Sequence, residues 1–242
     1  MTASSYDWSV WDRESITEMV KETRDLLVHQ NLTVGQFHDT LTKHIKRYMP
    51  VRSRKSREKQ VDLGRVWVGG VYHTDFDLDC QKSIELCFAY NPKDRTLEMP
   101  TRHFNRVCRR VADVLLHEII HMRQARSRNF KEIPGYRSKA DSIKQQMEQE
   151  YLGDPDEVDA YAFNMACELH DKFGDDMRKI VAYLNKEHKG YYKTYDTWKS
   201  YLKAFNWDQN HRVIKKIKKR SIYYLSRSQI IKPFQSKDWI FR

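Results

Sequence analysis

The 242-residue chain predicts an α+β fold, a small, mostly antiparallel sheet with helices before and after it, on three observations. Apolar residues recur at helical spacing in the first fifty residues and again beyond residue 154. Short β-like runs fill residues 63–99. Between these regions, residues 102–124 carry Val107, Val111, Val114, Leu115, Ile119 and Met122 at helical spacing with no interior Gly or Pro. The length suits one sizeable domain, or a small domain with an appendage, and 40% hydrophobic residues suffice for a core. Four segments are expected: a helical segment 1–50, a basic loop 51–62, a compact α+β domain 63–190 and a basic, aromatic helical extension 191–242.

The first segment reads as two helices, with apolar stripes at Ile16, Met19, Val20, Leu26 and Leu27 and at Phe37, Leu41, Ile45 and Tyr48. Ser15 with Glu18 and Thr33 with Gln36 have the spacing of capping boxes, and Pro50 closes the second helix. VRSRKSREKQ is polar, basic and aperiodic, which predicts a mobile loop. Strands are expected in GRVWVGGVYHTDF, SIELCFAY and TLEMP, with Gly69-Gly70 and Asn91-Pro92 as turn or bulge signals. Asp75, Asp77 and Asp79 resemble the opening of a calcium loop, but Cys80 and Leu86 stand where that loop needs Gly and Glu, so a solvated strand face or turn is expected. Asp154 and Pro155 open a further helix, Gly174 stops it, and helical segments follow around 175–187, 194–205 and 210–225.

No apolar run reaches the roughly 18 residues of a membrane span and the start lacks an apolar signal core, so a soluble intracellular protein is expected. Cys80, Cys87, Cys108 and Cys167 form no C-x-x-C pair and are too sparse for a disulfide scaffold, in keeping with a reducing compartment. Cys108 and Cys167 fall in helices and read as small core residues. The net charge of +11 is uneven: residues 203–242 hold eleven Lys or Arg against two acids. There, Ile214, Ile217, Ser221 and Tyr224 share a helical face ringed by lysines, followed by Trp239 and Phe241. Such a segment could bind nucleic acid, an anionic surface or an acidic protein, or simply pack its apolar stripe on the domain.

The chemistry lies in HEIIH, from His117 to His121. Histidines four apart share a helical face, where both imidazoles can bind one zinc ion while Glu118 reaches a water beside it as general base. A catalytic zinc site usually takes a third protein ligand, and the candidates are Glu157 and Asp159 in the acidic first turn of the later helix. Asp113, one turn before His117, could orient it or face solvent. Arg102, Arg106, Arg109 and Arg110 share a face that could bind an acidic substrate or stand solvated. A donor to the tetrahedral oxyanion is also needed, with Tyr136, Tyr151, His170 and the Tyr191-Tyr192 pair as candidates.

A mostly antiparallel sheet, an HEIIH helix and a second helix bearing an acid together resemble the gluzincin metallopeptidases. The stretch E-V-D-A-Y-A-F, Glu157 to Phe163, is similar to the E-x-E-A-N-x-F-A signature of ImmA/IrrE-type enzymes and of phage-encoded metallopeptidases. The likeness covers residues 63–175. It departs from the pattern at Tyr161, where Asn is usual, and no L-L-M-P follows the second helix. The resemblance implies a zincin-like fold, Glu157 as the third zinc ligand, Asp159 as the second acid of the signature, and zinc-dependent hydrolysis of a protein or peptide. It also admits a catalytically silent assembly protein of a phage particle, and a location in the host cytoplasm or virion. The basic tail admits a nucleic-acid-associated protease or binding module.

Overall fold

The computed structural model describes residues 6–79, 81–188 and 196–226, which divide into two compact units after Phe130. Cys80, Tyr191, Tyr192, Trp239, Phe241 and the rest of the tail beyond Ser226 lie outside the described residues. The α+β class holds, with a small sheet in the first unit and helices in both.

In the first unit, α1 (Arg13–Lys21) and the short α2 (Arg24–Leu27) precede β1 (Leu32–Thr33) and α3 (Val34–Tyr48). Thr33 and Gln36 form the expected capping box of α3, whose Phe37, Leu41 and Ile45 are buried. The box of α1 lies one turn earlier than expected. Asp12 caps, and Ser15 reciprocates from the N3 position, because the aspartate carboxylate captures the Ser15 amide at 2.7 Å.

Residues 52–57, expected as part of a basic loop 51–62, instead form a strand, β2 (Arg52–Arg57). With β3 (Val66–Tyr72) and β4 (Ile84–Tyr90) it makes a three-stranded sheet of order β2-β4-β3. A strand at the edge of a sheet needs backbone hydrogen bonds more than apolar side chains, and its charges discourage pairing with other chains. The sheet is mixed rather than mostly antiparallel: β2 runs parallel to β4 with Arg54 opposite Cys87, and β3 runs antiparallel with Val68 opposite Phe88. The TLEMP strand, β5 (Thr96–Leu97), pairs with β1 in a separate antiparallel ribbon.

The turn after β3 is a short helix, α4 (Thr74–Leu78), and not a solvated strand. Its Asp77 is buried, accepting hydrogen bonds from Tyr72 Oη at 2.9 Å and Arg126 Nε at 2.7 Å. The carboxylate thus anchors the end of α5 (Thr101–Ser127), the long helix expected over 102–124. α5 packs on α1, β3 and β4, and its Phe104, Leu115 and Ile119 are buried, as is Phe88 of β4.

The second unit is helical among its described residues: α6 (Ile143–Gly153), α7 (Pro155–Phe173), α8 (Met177–Asn185), α9 (Thr197–Ala204) and α10 (Arg212–Ser226). α7 begins as expected, with the Asp154 side chain accepting from Asp156 N and Pro155 in the first turn. It ends at Gly174, whose φ of 60° suits glycine. α10 packs along α7: Ile214, Ile217, Ser221 and Tyr224 are all buried, and Ser221 Oγ donates to the Ala162 carbonyl at 2.9 Å. The apolar stripe of the basic segment therefore belongs to the core, while Lys215, Lys216 and Lys219 are exposed. No described helix is long and apolar enough to cross a membrane.

Candidate metal centre

Within α5, the four-residue spacing of His117 and His121 brings the two Nε2 atoms to 3.1 Å from each other. Two nitrogens bound tetrahedrally to one zinc ion stand about 3.3 Å apart, so the pair is already near ligand geometry. The tautomer also fits. Gln124, buried one turn on, places Oε1 3.0 Å from His121 Nδ1. An amide oxygen only accepts, so Nδ1 carries the proton and Nε2 keeps the lone pair that a metal requires.

Glu118, between the histidines, is buried against β3. A Cβ added to Gly70 would lie 2.8 Å from Glu118 Oε1 and 2.6 Å from Val114 Cγ1, so only glycine lets the carboxylate sit this close to the strand. The Gly69-Gly70 pair, expected to mark a turn or bulge, lies within the regular pairing of β3 and β4, and Gly70 makes room for the candidate base.

In α7, Glu157 occupies the first turn. Tyr151 of α6 lies near it: burial, followed by the negative charge of Glu157, pushes the Tyr151 hydroxyl well above the usual tyrosine range, which keeps it protonated. Tyr161, one helical turn beyond Glu157, lies with its hydroxyl 3.2 Å from that of Tyr151. The residue that departs from the signature thus joins the polar chain behind the acid. Tyr201 of α9 packs its ring 5.9 Å from Tyr161.

One donor atom each from His117, His121 and Glu157 lie within 4.8 Å of one another, so this group could hold a metal ion. Asp159, the other candidate ligand, is not in it. Its buried carboxylate accepts from Arg220 Nε at 2.7 Å, an ion pair that fastens α10 to α7.

Other sequence candidates have structural partners. Asp113 neither faces solvent nor serves as a visible orienter of His117: it pairs with Arg13 Nε at 2.6 Å and ties α1 to α5. Tyr136 Oη lies 3.3 Å from His211 Nε2, and His170 Nε2 lies 3.4 Å from the exposed carboxylate of Asp175. Of the oxyanion candidates among the described residues, Tyr151 is the one whose hydroxyl feels the charge of Glu157. Cys108 and Cys167 are buried, and burial pushes the Cys108 thiol up to about 12, as befits inert core residues. Gly70 is marked in the sequence only as a turn or bulge signal and Gln124 not at all, although Gln124 stands three residues after His121, a spacing that puts it on the same helical face.

Comparison with protein-family models, curated proteins and solved structures gives no match to this chain.

Proposed function

We propose that this chain is a zinc-dependent peptidase of the gluzincin kind, with His117, His121 and Glu157 as metal ligands and Glu118 as general base. The convergence of two imidazoles and one carboxylate, with one donor atom from each within 4.8 Å of the others, carries the reading. Two histidines and a glutamate form a donor set typical of catalytic zinc, leaving a coordination position for water or substrate. The Gln124-fixed tautomer of His121 supports it further, since ligands of such sites are held by outer partners.

The chemistry supplied by zinc in a site of this kind is Lewis acidity, which makes water a nucleophile near neutral pH. Glu118 takes the proton of the attacking water and delivers it to the leaving amine. Its placement against Gly70 sets how closely the carboxylate can approach the strand.

The test is hydrolysis of a peptide library by purified chain. Activity should disappear with chelator, return with zinc, and be absent from Glu118→Gln protein that still binds zinc. Turnover retained by Glu118→Gln would remove the assigned base.

A further inference from the structure

A cavity of about 860 Å³ opens in the first unit beside β3. Arg54 of β2, Arg65 ahead of β3, and Arg106 and Arg110 of α5 line it, against two carboxylates, Glu58 and Asp62. Arg110 is fixed by donating Nε to the Val68 carbonyl at 3.2 Å. The half-exposed Trp67 supplies apolar wall. The neighbourhood is electropositive: His103, also in the wall, is pushed below the ordinary histidine range by burial and then by Arg65, Arg106 and Arg102. The cavity extends to Gly70, the residue against which Glu118 lies.

We propose that this cavity binds the acidic flank of a peptide, so that the substrate carries Asp or Glu a few residues from the bond that is cut. The substrate assignment rests on the peptidase reading; the binding of an acidic peptide does not. Arg110 and Arg106 precede Glu118 by eight and twelve residues on α5, about 12 and 18 Å at the helical rise. An extended peptide advances about 3.4 Å per residue, which places the favoured acids roughly three to five residues from the scissile bond. Guanidinium groups match carboxylates in paired hydrogen bonds. The charge balance favours a peptide over a nucleic acid. Four arginines offset by two lining carboxylates suit a few acids spaced among neutral residues, whereas a nucleic-acid strand brings one charge about every 3.4 Å past Glu58 and Asp62.

The experiment is fluorescence anisotropy with full-length Glu118→Gln protein, which cannot turn substrate over. The probes are a labelled decapeptide with four Glu and the same peptide with Gln at those positions. The acidic peptide should bind at least about tenfold more tightly at low salt. Arg65→Gln and Arg106→Gln should each weaken it several-fold and Arg106→Glu by about tenfold or more, while Arg109→Glu, on the same helix but outside the cavity, should leave it unchanged. Circular dichroism verifies folding of each variant. Equal affinity for the two peptides, an equal loss in Arg109→Glu, or stronger competition by an oligodeoxynucleotide of the same charge would overturn the proposal. A chain that binds the acidic peptide as described but hydrolyses no peptide in its wild-type form refutes the peptidase reading and leaves the cavity's ligand standing.

Discussion

At the scale of single residues, the HEIIH motif was readable because its chemistry depends on local spacing, but its supports were not. Gln124 acts through a hydrogen bond whose meaning appears only once His121 Nδ1 is placed. Gly70 acts through a close approach from another element. Gln124→Ala should reduce zinc affinity by about 10- to 100-fold, as loss of such outer partners does, measured by competition with a chelating dye. Tyr151→Phe should do the same through Glu157. Tyr201→Phe serves as its contrast: the buried Tyr201 hydroxyl has no hydrogen-bond partner among the described residues, so its removal should leave zinc affinity unchanged and stability equal or higher. Gly70→Ala should retain zinc yet lower kcat, by up to about 100-fold if the Glu118 carboxylate is displaced by 1 Å. Unchanged kcat in Gly70→Ala would show that the close contact is not needed for catalysis.

At the scale of elements, α5 and α7 were legible because their caps, apolar stripes and breakers agree. β2 was hidden because RSRKSR has no apolar face to betray it; the strand exists through pairing with β4, which no local pattern encodes. α6 was hidden for a related reason. Ile143 and Met147 are exposed, and the helix is held instead by Gln149, whose Nε2 donates to the Ala204 carbonyl at 2.8 Å and whose Oε1 accepts from Ser138 Oγ at 2.6 Å. The role of Asp159 likewise waited on knowing that Arg220 returns to it from sixty-one residues downstream. Asp159→Asn should destabilise the helical unit by roughly 3 kcal/mol, since it breaks a partly buried ion pair, and denaturant melts followed by circular dichroism measure this. In the first unit, His38 lies edge-on to Phe88 at 5.4 Å, and burial pushes its imidazole below the ordinary value of 6.5. The native state therefore favours neutral His38. Its contribution to stability is complete above pH 6.5 and is lost as pH falls from there toward the lowered native value. Between pH 7.5 and 5.5, in chelator, wild-type protein should lose more thermal stability than His38→Gln; equal losses would contradict the shift.

At the scale of the whole molecule, the +11 charge is carried mainly by residues 203–242, but α10 shows that a basic segment can also be structural. Deleting residues 211–242 would remove buried Ile214, Ile217 and Tyr224, so a test of nucleic-acid binding is better made by reversing the exposed Lys215, Lys216 and Lys219. The general class was legible from the order of helical and strand-like patterns, while the direction of β2 in the sheet was not, because parallel pairing joins residues with no sequence relation. The central claim concerns one metal and three side chains. Zinc bound to the native state adds to its stability, about 4 kcal/mol at a thousandfold excess over Kd, so chelation should lower the unfolding temperature. The most direct test is the zinc content of purified, dialysed full-length protein by elemental analysis, with His117→Ala, His121→Ala and Glu157→Ala beside it. One zinc per wild-type chain, kept by Asp159→Asn and lost from the three alanine variants, is the expected result; wild-type protein without stoichiometric zinc, or Glu157→Ala protein that binds zinc as tightly as wild type, would contradict it.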